Sequence, residues 1–141
     1  MLFRSDDPML VATDPGAIRR VVLASGKVAM EAIAERDARG GIGALPVAIV
    51  RLEQLYPWPD QALDQVLARY ANAREIVWLQ EEPENMGAWN FVKGRLYEPY
   101  GDTHAIRRVS RVESASPATG VHAIHVQEQR QLFEDAFAGL S

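Results

Sequence analysis

The chain has 141 residues, of which 48% are hydrophobic, 24% are charged and none is cysteine. This length suits one domain with its own hydrophobic core, built without disulfides or a structural metal. The lack of cysteine excludes zinc–thiolate sites, iron–sulfur clusters and cysteine nucleophiles. The formal net charge of -4 disfavours non-specific nucleic-acid binding, because that binding needs a basic surface.

Signals for export or membrane insertion are not found in the sequence. The longest apolar run is a few residues, whereas a membrane-spanning helix needs roughly 20. The first residues lack the basic stretch and apolar run of a secretory signal. We therefore expect a cytoplasmic protein that does not contact a membrane.

Strand-like and helix-like segments alternate along the chain. In order, the pattern predicts a strand at 20–24, a helix at 28–39, a strand at 46–52, a helix at 60–70, a strand at 75–80, a helix at 87–97, a strand at 106–112 and a helix from about 120. Such alternation implies right-handed βαβ crossovers and a parallel sheet between two helical layers. Met9–Ala12 is a candidate fifth strand at an edge.

Two loops contain groups suited to binding an anion. The first is Ser25, Gly26 and Lys27, which follow the first strand and precede a helix, where backbone N–H groups favour negative charge. The second is the small polar loop before the last helix, with three arginines on the strand that leads to it: Arg107, Arg108, Arg111, Ser114, Ser116, Thr119 and Gly120. The alternative is a solvated turn for the first loop and a packed loop with a helix N-cap for the second.

Catalytic or metal-binding patterns are weaker. Glu81, Glu82 and Glu84 cluster after the third strand, but they also suit the positive end of the following helix. His122 and His125 are spaced too widely around a helix to converge on a metal with Glu128. No nucleotide-binding glycine motif or hydrolase nucleophile motif is present.

Four segments together resemble the C-terminal domain of the E1 component of 2-oxoglutarate dehydrogenase. They are Ser25–Val28, Val50–Pro59, Trp78–Trp89 and Ser114–Gly120. The resemblance covers nearly the whole chain, from about Ile18 to Phe137. It implies the transketolase C-terminal fold, an αβα sandwich with a five-stranded mixed sheet of order 1-3-2-4-5. Its antiparallel first strand would be Met9–Ala12, within an N-terminal extension at 1–17 that precedes the domain at 18–141.

The resemblance also implies a function. E1 enzymes use thiamine diphosphate and magnesium to decarboxylate 2-oxoglutarate in the tricarboxylic acid cycle, and they pass the succinyl group to the lipoyl arm of E2. The E1 homodimer works with E2, the dihydrolipoyl succinyltransferase, and with E3. The sequence contains none of the segments that bind thiamine diphosphate or magnesium, so no catalytic or metal-binding residue is assigned, and we expect the isolated chain to be inactive. Relatives that act on 2-oxoadipate share these loops.

The expected role is therefore assembly and regulation. Four aromatic residues are expected at an interface with the remaining E1 domains: Tyr56, Trp58, Trp89 and Phe91. In some relatives a nucleotide or acyl-coenzyme A effector binds at or near this domain, and the two loops described above would hold its phosphate. A stand-alone anion- or nucleotide-binding α/β module remains an alternative, and an independent small α/β enzyme is a weaker one.

Overall fold

The computed structural model describes residues 14–111 and 122–140, with side chains in the last helix described from His125 onward. A short 3-10 helix at Pro15–Ala17 precedes the sheet. The strands are β1 (Arg20–Ala24), β2 (Val47–Arg51), β3 (Glu75–Pro83) and β4 (Ala105–Arg111). The longer helices are α1 (Lys27–Ala38), α2 (Asp60–Arg69), α3 (Trp89–Tyr100) and α4 (His122–Phe137). The predicted alternation of strands and helices is confirmed, and β3 extends three residues further than predicted.

The described sheet has four strands in the order β2-β1-β3-β4, and all three strand pairs are parallel. The sheet differs from the predicted five-stranded mixed sheet, because each described strand is joined to the next by a helical crossover, which produces parallel neighbours. The predicted antiparallel strand Met9–Ala12 lies outside the described residues.

Two hydrophobic clusters hold the three layers together. Val21 and Leu23 of β1 face α2 and α3, where Leu63 and Leu96 are fully buried. The alternate residues of β1, such as Val22, face α1 and α4. Because successive strand residues point to opposite faces, a strand buried on both sides must be apolar at every position. All five residues of β1 are buried, and four of them are apolar; the fifth, Arg20, forms an ion pair with Glu75.

The order in which successive strands are added to the sheet reverses between β1 and β3. The crossover from β1 leads to β2 on one side, and the crossover from β3 leads to β4 on the other. In open α/β sheets, ligands bind in the crevice at such a switch point, at the carboxyl ends of the strands. The loops after β1 and β3 therefore define the candidate site. Among the described residues, no helix is long and apolar enough to cross a membrane.

Candidate functional site

A cavity of about 150 Å³ lies at this switch point. Its lining comes from the loops after β1 and β2, the end of β3 and the residue before α3, and includes Ser25, Leu55, Trp78, Gln80, Glu81 and Glu82. Gly26, next to Ser25, has a φ of 72° and is the N-cap of α1 without a side-chain cap. The positive φ favours glycine, which turns the chain sharply from β1 into the helix.

A buried glutamine, Gln80, fixes the loop beside the cavity. Gln80 is 3% exposed. Its Oε1 accepts hydrogen bonds from Trp78 Nε1 at 3.0 Å and from the Trp89 backbone N–H at 3.1 Å. Its Nε2 lies 2.9 to 3.1 Å from three carbonyl oxygens of the loop, those of Glu82, Pro83 and Met86. Sequence reasoning missed this role, although a glutamine that continues an apolar strand is a signal, since a buried amide needs partners.

A second glutamine, Gln129 of α4, joins the first half of α1 to the carboxyl ends of β3 and β4. Its Nε2 donates to Glu31 of α1 and to Glu81 of β3, each at 2.8 Å. Its Oε1 accepts from Arg111 of β4 at 3.0 Å. No pattern in the sequence pointed to Gln129, because it lies on a helix far along the chain from Glu31 and Glu81.

Two of the predicted anion-binding cations lie at either end of this network. Lys27 Nζ is 3.1 Å from Glu31, and the hydrogen bond to Glu31 together with the charges of Glu31 and Glu81 raises the Lys27 pKa. Arg111 donates to His125 Nδ1 at 3.0 Å, and its Nε lies 3.7 Å from Glu128. An anion at this point would have to compete with carboxylates that already engage both cations.

The other two arginines point away from that network. Arg107 donates to the backbone oxygen of Asp135 at 2.9 Å, near the end of α4. Burial, and then the charge of Arg20, lower the pKa of Arg107. Arg108 donates to Ser110 Oγ and forms an ion pair with Glu84, each at 2.9 Å. Because side chains alternate between the two faces of the sheet along β4, Arg108 lies on the opposite face from Arg107 and Arg111. Ser114, Ser116, Thr119 and Gly120 lie outside the described residues.

Three of the four predicted interface aromatics form a surface cluster. Tyr56 is 67% exposed, and its ring centroid is 4.2 Å from that of Phe91. Trp58 meets Phe91 edge-on at 6.2 Å, and the Arg95 guanidinium lies 3.6 Å from the Phe91 ring centroid. We call Tyr56, Trp58, Phe91 and Arg95 the aromatic surface. Trp89 is not part of it, because its side chain packs in the core with 6% exposure.

The described residues do not fit a thiamine diphosphate–magnesium site. Within 14–111 and 122–140, no group of three histidine, aspartate or glutamate side chains is arranged to hold a metal ion. The carboxylates at the strand ends are held by Lys27, Gln129 and Arg111, and such paired groups are poor ligands for a hard cation. We assign no step of a reaction to these residues.

Comparison with known proteins gives the family. A profile described as "2-oxoglutarate dehydrogenase C-terminal" matches residues 4–137. The 2-oxoglutarate dehydrogenase E1 component of Cupriavidus necator is 44% identical over 123 residues, which cover 87% of this chain and 13% of that protein. The E1 component of Azotobacter vinelandii is 38% identical, with 92% of this chain and 14% of that protein covered. A probable 2-oxoadipate dehydrogenase complex component E1 homolog of Dictyostelium discoideum is 41% identical, with 85% and 13% covered.

A solved structure shares the fold. A chain described as "Split gene transketolase, inactive beta4 tetramer" superposes with a TM-score of 0.57 at 18% identity, covering 86% of this chain and 40% of that one. The 141-residue chain spans 13 to 14% of the length of the three E1 relatives from Cupriavidus necator, Azotobacter vinelandii and Dictyostelium discoideum. The profile match over nearly the whole length shows that the chain belongs to the 2-oxoglutarate dehydrogenase C-terminal family, with a transketolase-like α/β fold.

Proposed function

We propose that this chain is the C-terminal assembly domain of a thiamine-diphosphate- and magnesium-dependent E1 that oxidatively decarboxylates 2-oxoglutarate and transfers succinyl to lipoyl-E2. The observation that carries the proposal is the match of residues 4–137 to one domain of proteins named 2-oxoglutarate dehydrogenase E1 component. A 2-oxoadipate enzyme is the nearest alternative substrate assignment, since a relative named for that complex is 41% identical.

The proposal places the chemistry outside this chain. The described side chains at the strand ends are linked to one another, as Gln129 shows with its three partners at 2.8 to 3.0 Å. We expect no release of carbon dioxide when the purified chain is mixed with 2-oxoglutarate, thiamine diphosphate, magnesium and an artificial electron acceptor. Turnover above a protein-free blank would contradict this part of the proposal.

The assembly role rests on the aromatic surface. A tyrosine that is 67% exposed and whose ring packs at a tilt against Phe91 is typical of a surface that another protein covers. The partners in this proposal are the remaining E1 domains and the second subunit of an E1 homodimer, with E2 and E3 in the cytoplasmic complex. Met9–Ala12 would add the antiparallel fifth strand beside β2, within an extension at 1–17 that leads into the domain at 18–141.

The assembly role can be tested by adding the two parts separately. The Cupriavidus necator E1, from which its own C-terminal domain has been deleted, is mixed with this chain, and the mixture is analysed by sedimentation. We expect one complex containing both chains, and a weaker complex for Tyr56→Ser. Independent sedimentation of the two proteins would contradict the assembly role, provided that the natural C-terminal domain binds in the same assay.

A second function, effector binding at the switch point, is favoured by one observation. Ser25 lines the cavity there, and Lys27 and Arg111 belong to one hydrogen-bonded network beside it. A phosphate of acetyl-coenzyme A or AMP would displace Glu31 from Lys27 and Glu128 from Arg111. Isothermal calorimetry with each ligand tests this; no heat of binding at millimolar ligand would reject it.

A further inference from the structure

The Phe91 ring of the aromatic surface holds an arginine on its face. The Arg95 guanidinium lies 3.6 Å from the ring centroid, and Arg95 Nη1 donates to the backbone oxygen of Phe91 at 2.9 Å. Tyr56, most of which is exposed, packs against the same ring at an angle of 41°. Because that backbone oxygen takes only one N–H of the guanidinium, and no other acceptor among the described residues engages it, the remaining N–H groups are available to a partner.

The positive charge on the aromatic surface is not matched by a carboxylate. The two segments that form the surface, 54–59 and 88–97, contain one lysine and one arginine but no aspartate or glutamate, although the chain as a whole has a net charge of -4. Asp60 and Glu98 directly follow these segments. In the part of the chain that the structure describes, neither of them, nor any other carboxylate, forms an ion pair with Arg95. A carboxylate from another domain would therefore bind a guanidinium that is not already paired.

The indole of Trp58 adds a hydrogen-bond donor that also lacks a partner. Trp58 Nε1 is inaccessible to solvent and has no acceptor within residues 14–111 and 122–140, whereas the buried Trp78 Nε1 donates to Gln80 at 3.0 Å. A buried donor without an acceptor destabilises a protein, and native structures contain few of them. A partner that moves a neighbouring side chain aside as it docks would bring an oxygen atom to accept this hydrogen bond.

We propose that the aromatic surface docks an acidic segment of the remaining E1 domains, which places a carboxylate on the Arg95 guanidinium and an oxygen acceptor at Trp58 Nε1. This inference rests on the proposed assembly role and specifies the chemistry of the partner. Tryptophan, tyrosine and arginine are the residues that contribute most to binding at interfaces. Because Arg95 is already held on Phe91, it loses little conformational freedom when it binds the carboxylate.

A second copy of this chain is the alternative occupant of the aromatic surface, and it fits less well. A two-fold symmetric interface sets the same surface of both copies face to face. It would bring a second Arg95 and a second unpaired indole N–H, and the segments 54–59 and 88–97 would supply no carboxylate to either. The two guanidinium charges would repel each other.

The test measures the affinity of this chain for the Cupriavidus necator E1 from which its own C-terminal domain has been deleted, with that natural domain as positive control. Arg95→Gln should weaken binding about tenfold, because it removes the charge that pairs with the carboxylate. Arg95→Lys keeps the charge without the planar fork, and should weaken binding about threefold. Arg69→Gln should leave the affinity unchanged. It is the matched control, since Arg69 is also exposed and lies over a tyrosine ring, that of Tyr70, but on α2.

Two further measurements separate pairing with a carboxylate from a purely structural role. Raising the salt concentration should weaken binding of the unsubstituted chain more than binding of Arg95→Gln, because salt screens the lost charge pair. Trp58→Phe keeps an aromatic ring without the N–H, and should weaken binding about fivefold. If Trp58→Phe fails to fold, the Arg95 variants decide alone.

The possible results distinguish this inference from the assembly role. Equal affinity and equal salt dependence of Arg95→Gln and the unsubstituted chain would overturn the inference and leave the assembly role standing. No binding of the unsubstituted chain, beside binding of the natural Cupriavidus necator domain, would overturn both. A dimer of the free chain that Arg95→Gln strengthens would show that a second copy covers the aromatic surface, and would overturn the assignment of an acidic partner.

Discussion

The side-chain amide of Gln129 donates to Glu31 and to Glu81, at 2.8 Å each. One amide thus holds two carboxylates of different elements beside each other and ties α4 to both of them. Carboxylates that share a donor are stabilised by it and repel each other without it. The geometry makes Gln129 the central residue of the strand-end network.

Replacing Gln129 by alanine should therefore lower the free energy of unfolding by about 1–2 kcal/mol, because two charged acceptors lose their donor. Gln129→Glu should cost more, since it adds a third carboxylate at the same point. Urea denaturation measures both. Gln131→Ala is the matched control, because Gln131 is exposed on the same helix and bonds only to Asp135 among the described residues, and it should change the stability by less than about 0.5 kcal/mol.

Gln80→Leu should lower the free energy of unfolding more, by about 2–4 kcal/mol. The change leaves two buried N–H donors, those of Trp78 and Trp89, without an acceptor. Urea unfolding followed by tryptophan fluorescence gives the stability. Gln61→Leu, at an exposed site on α2, provides the comparison and should be nearly neutral. Equal effects of the two changes would mean that the Gln80 amide does not organise the loop.

His104 should make the domain less stable in acid. Burial, and then the positive charge of Arg74, lower the His104 pKa below its ordinary value of 6.5. The unfolded chain therefore binds a proton at a higher pH than the folded chain, and stability falls as the pH drops through 6.5 toward the folded pKa. The free energy of unfolding, measured from pH 7.5 to pH 5 for the natural chain and for His104→Gln, should fall less steeply in the variant. Parallel curves would contradict the assigned direction.

Tyr56→Ser should leave the isolated chain about as stable as before, within about 0.5 kcal/mol, because most of the side chain already faces solvent. The same change should weaken association with the rest of an E1 subunit. Trp89→Ser is the contrasting variant. Because Trp89 is buried, this change should lower the free energy of unfolding of the isolated chain, measured by urea denaturation, by about 3–5 kcal/mol, as other large core truncations do. A large loss of stability for Tyr56→Ser would show that Tyr56 supports the fold itself.

Much of the fold follows from local pattern. Continuous apolar runs such as Val47–Val50 predict strands buried on both faces, and the structure confirms them. The period of two also separates Arg108 from Arg107 and Arg111 once β4 is recognised. What the sequence does not reveal are contacts between distant residues, such as the one from Gln129 to Glu31, because nothing local marks two polar side chains as partners. Trp89 was expected at the surface for the same reason: its side chain packs among core residues that are distant in the chain, such as Val21 and Leu63.

The most direct test of the proposed role is a chimera in which this chain replaces the C-terminal domain of the Cupriavidus necator E1, to which it is 44% identical. The measurement is the release of carbon dioxide from 2-oxoglutarate with thiamine diphosphate and magnesium present. The matching segment of the Azotobacter vinelandii E1, grafted at the same junction, is the control. We expect both chimeras to be dimeric and to decarboxylate 2-oxoglutarate at similar rates. A folded but inactive chimera of this chain, beside an active control, would contradict the assignment.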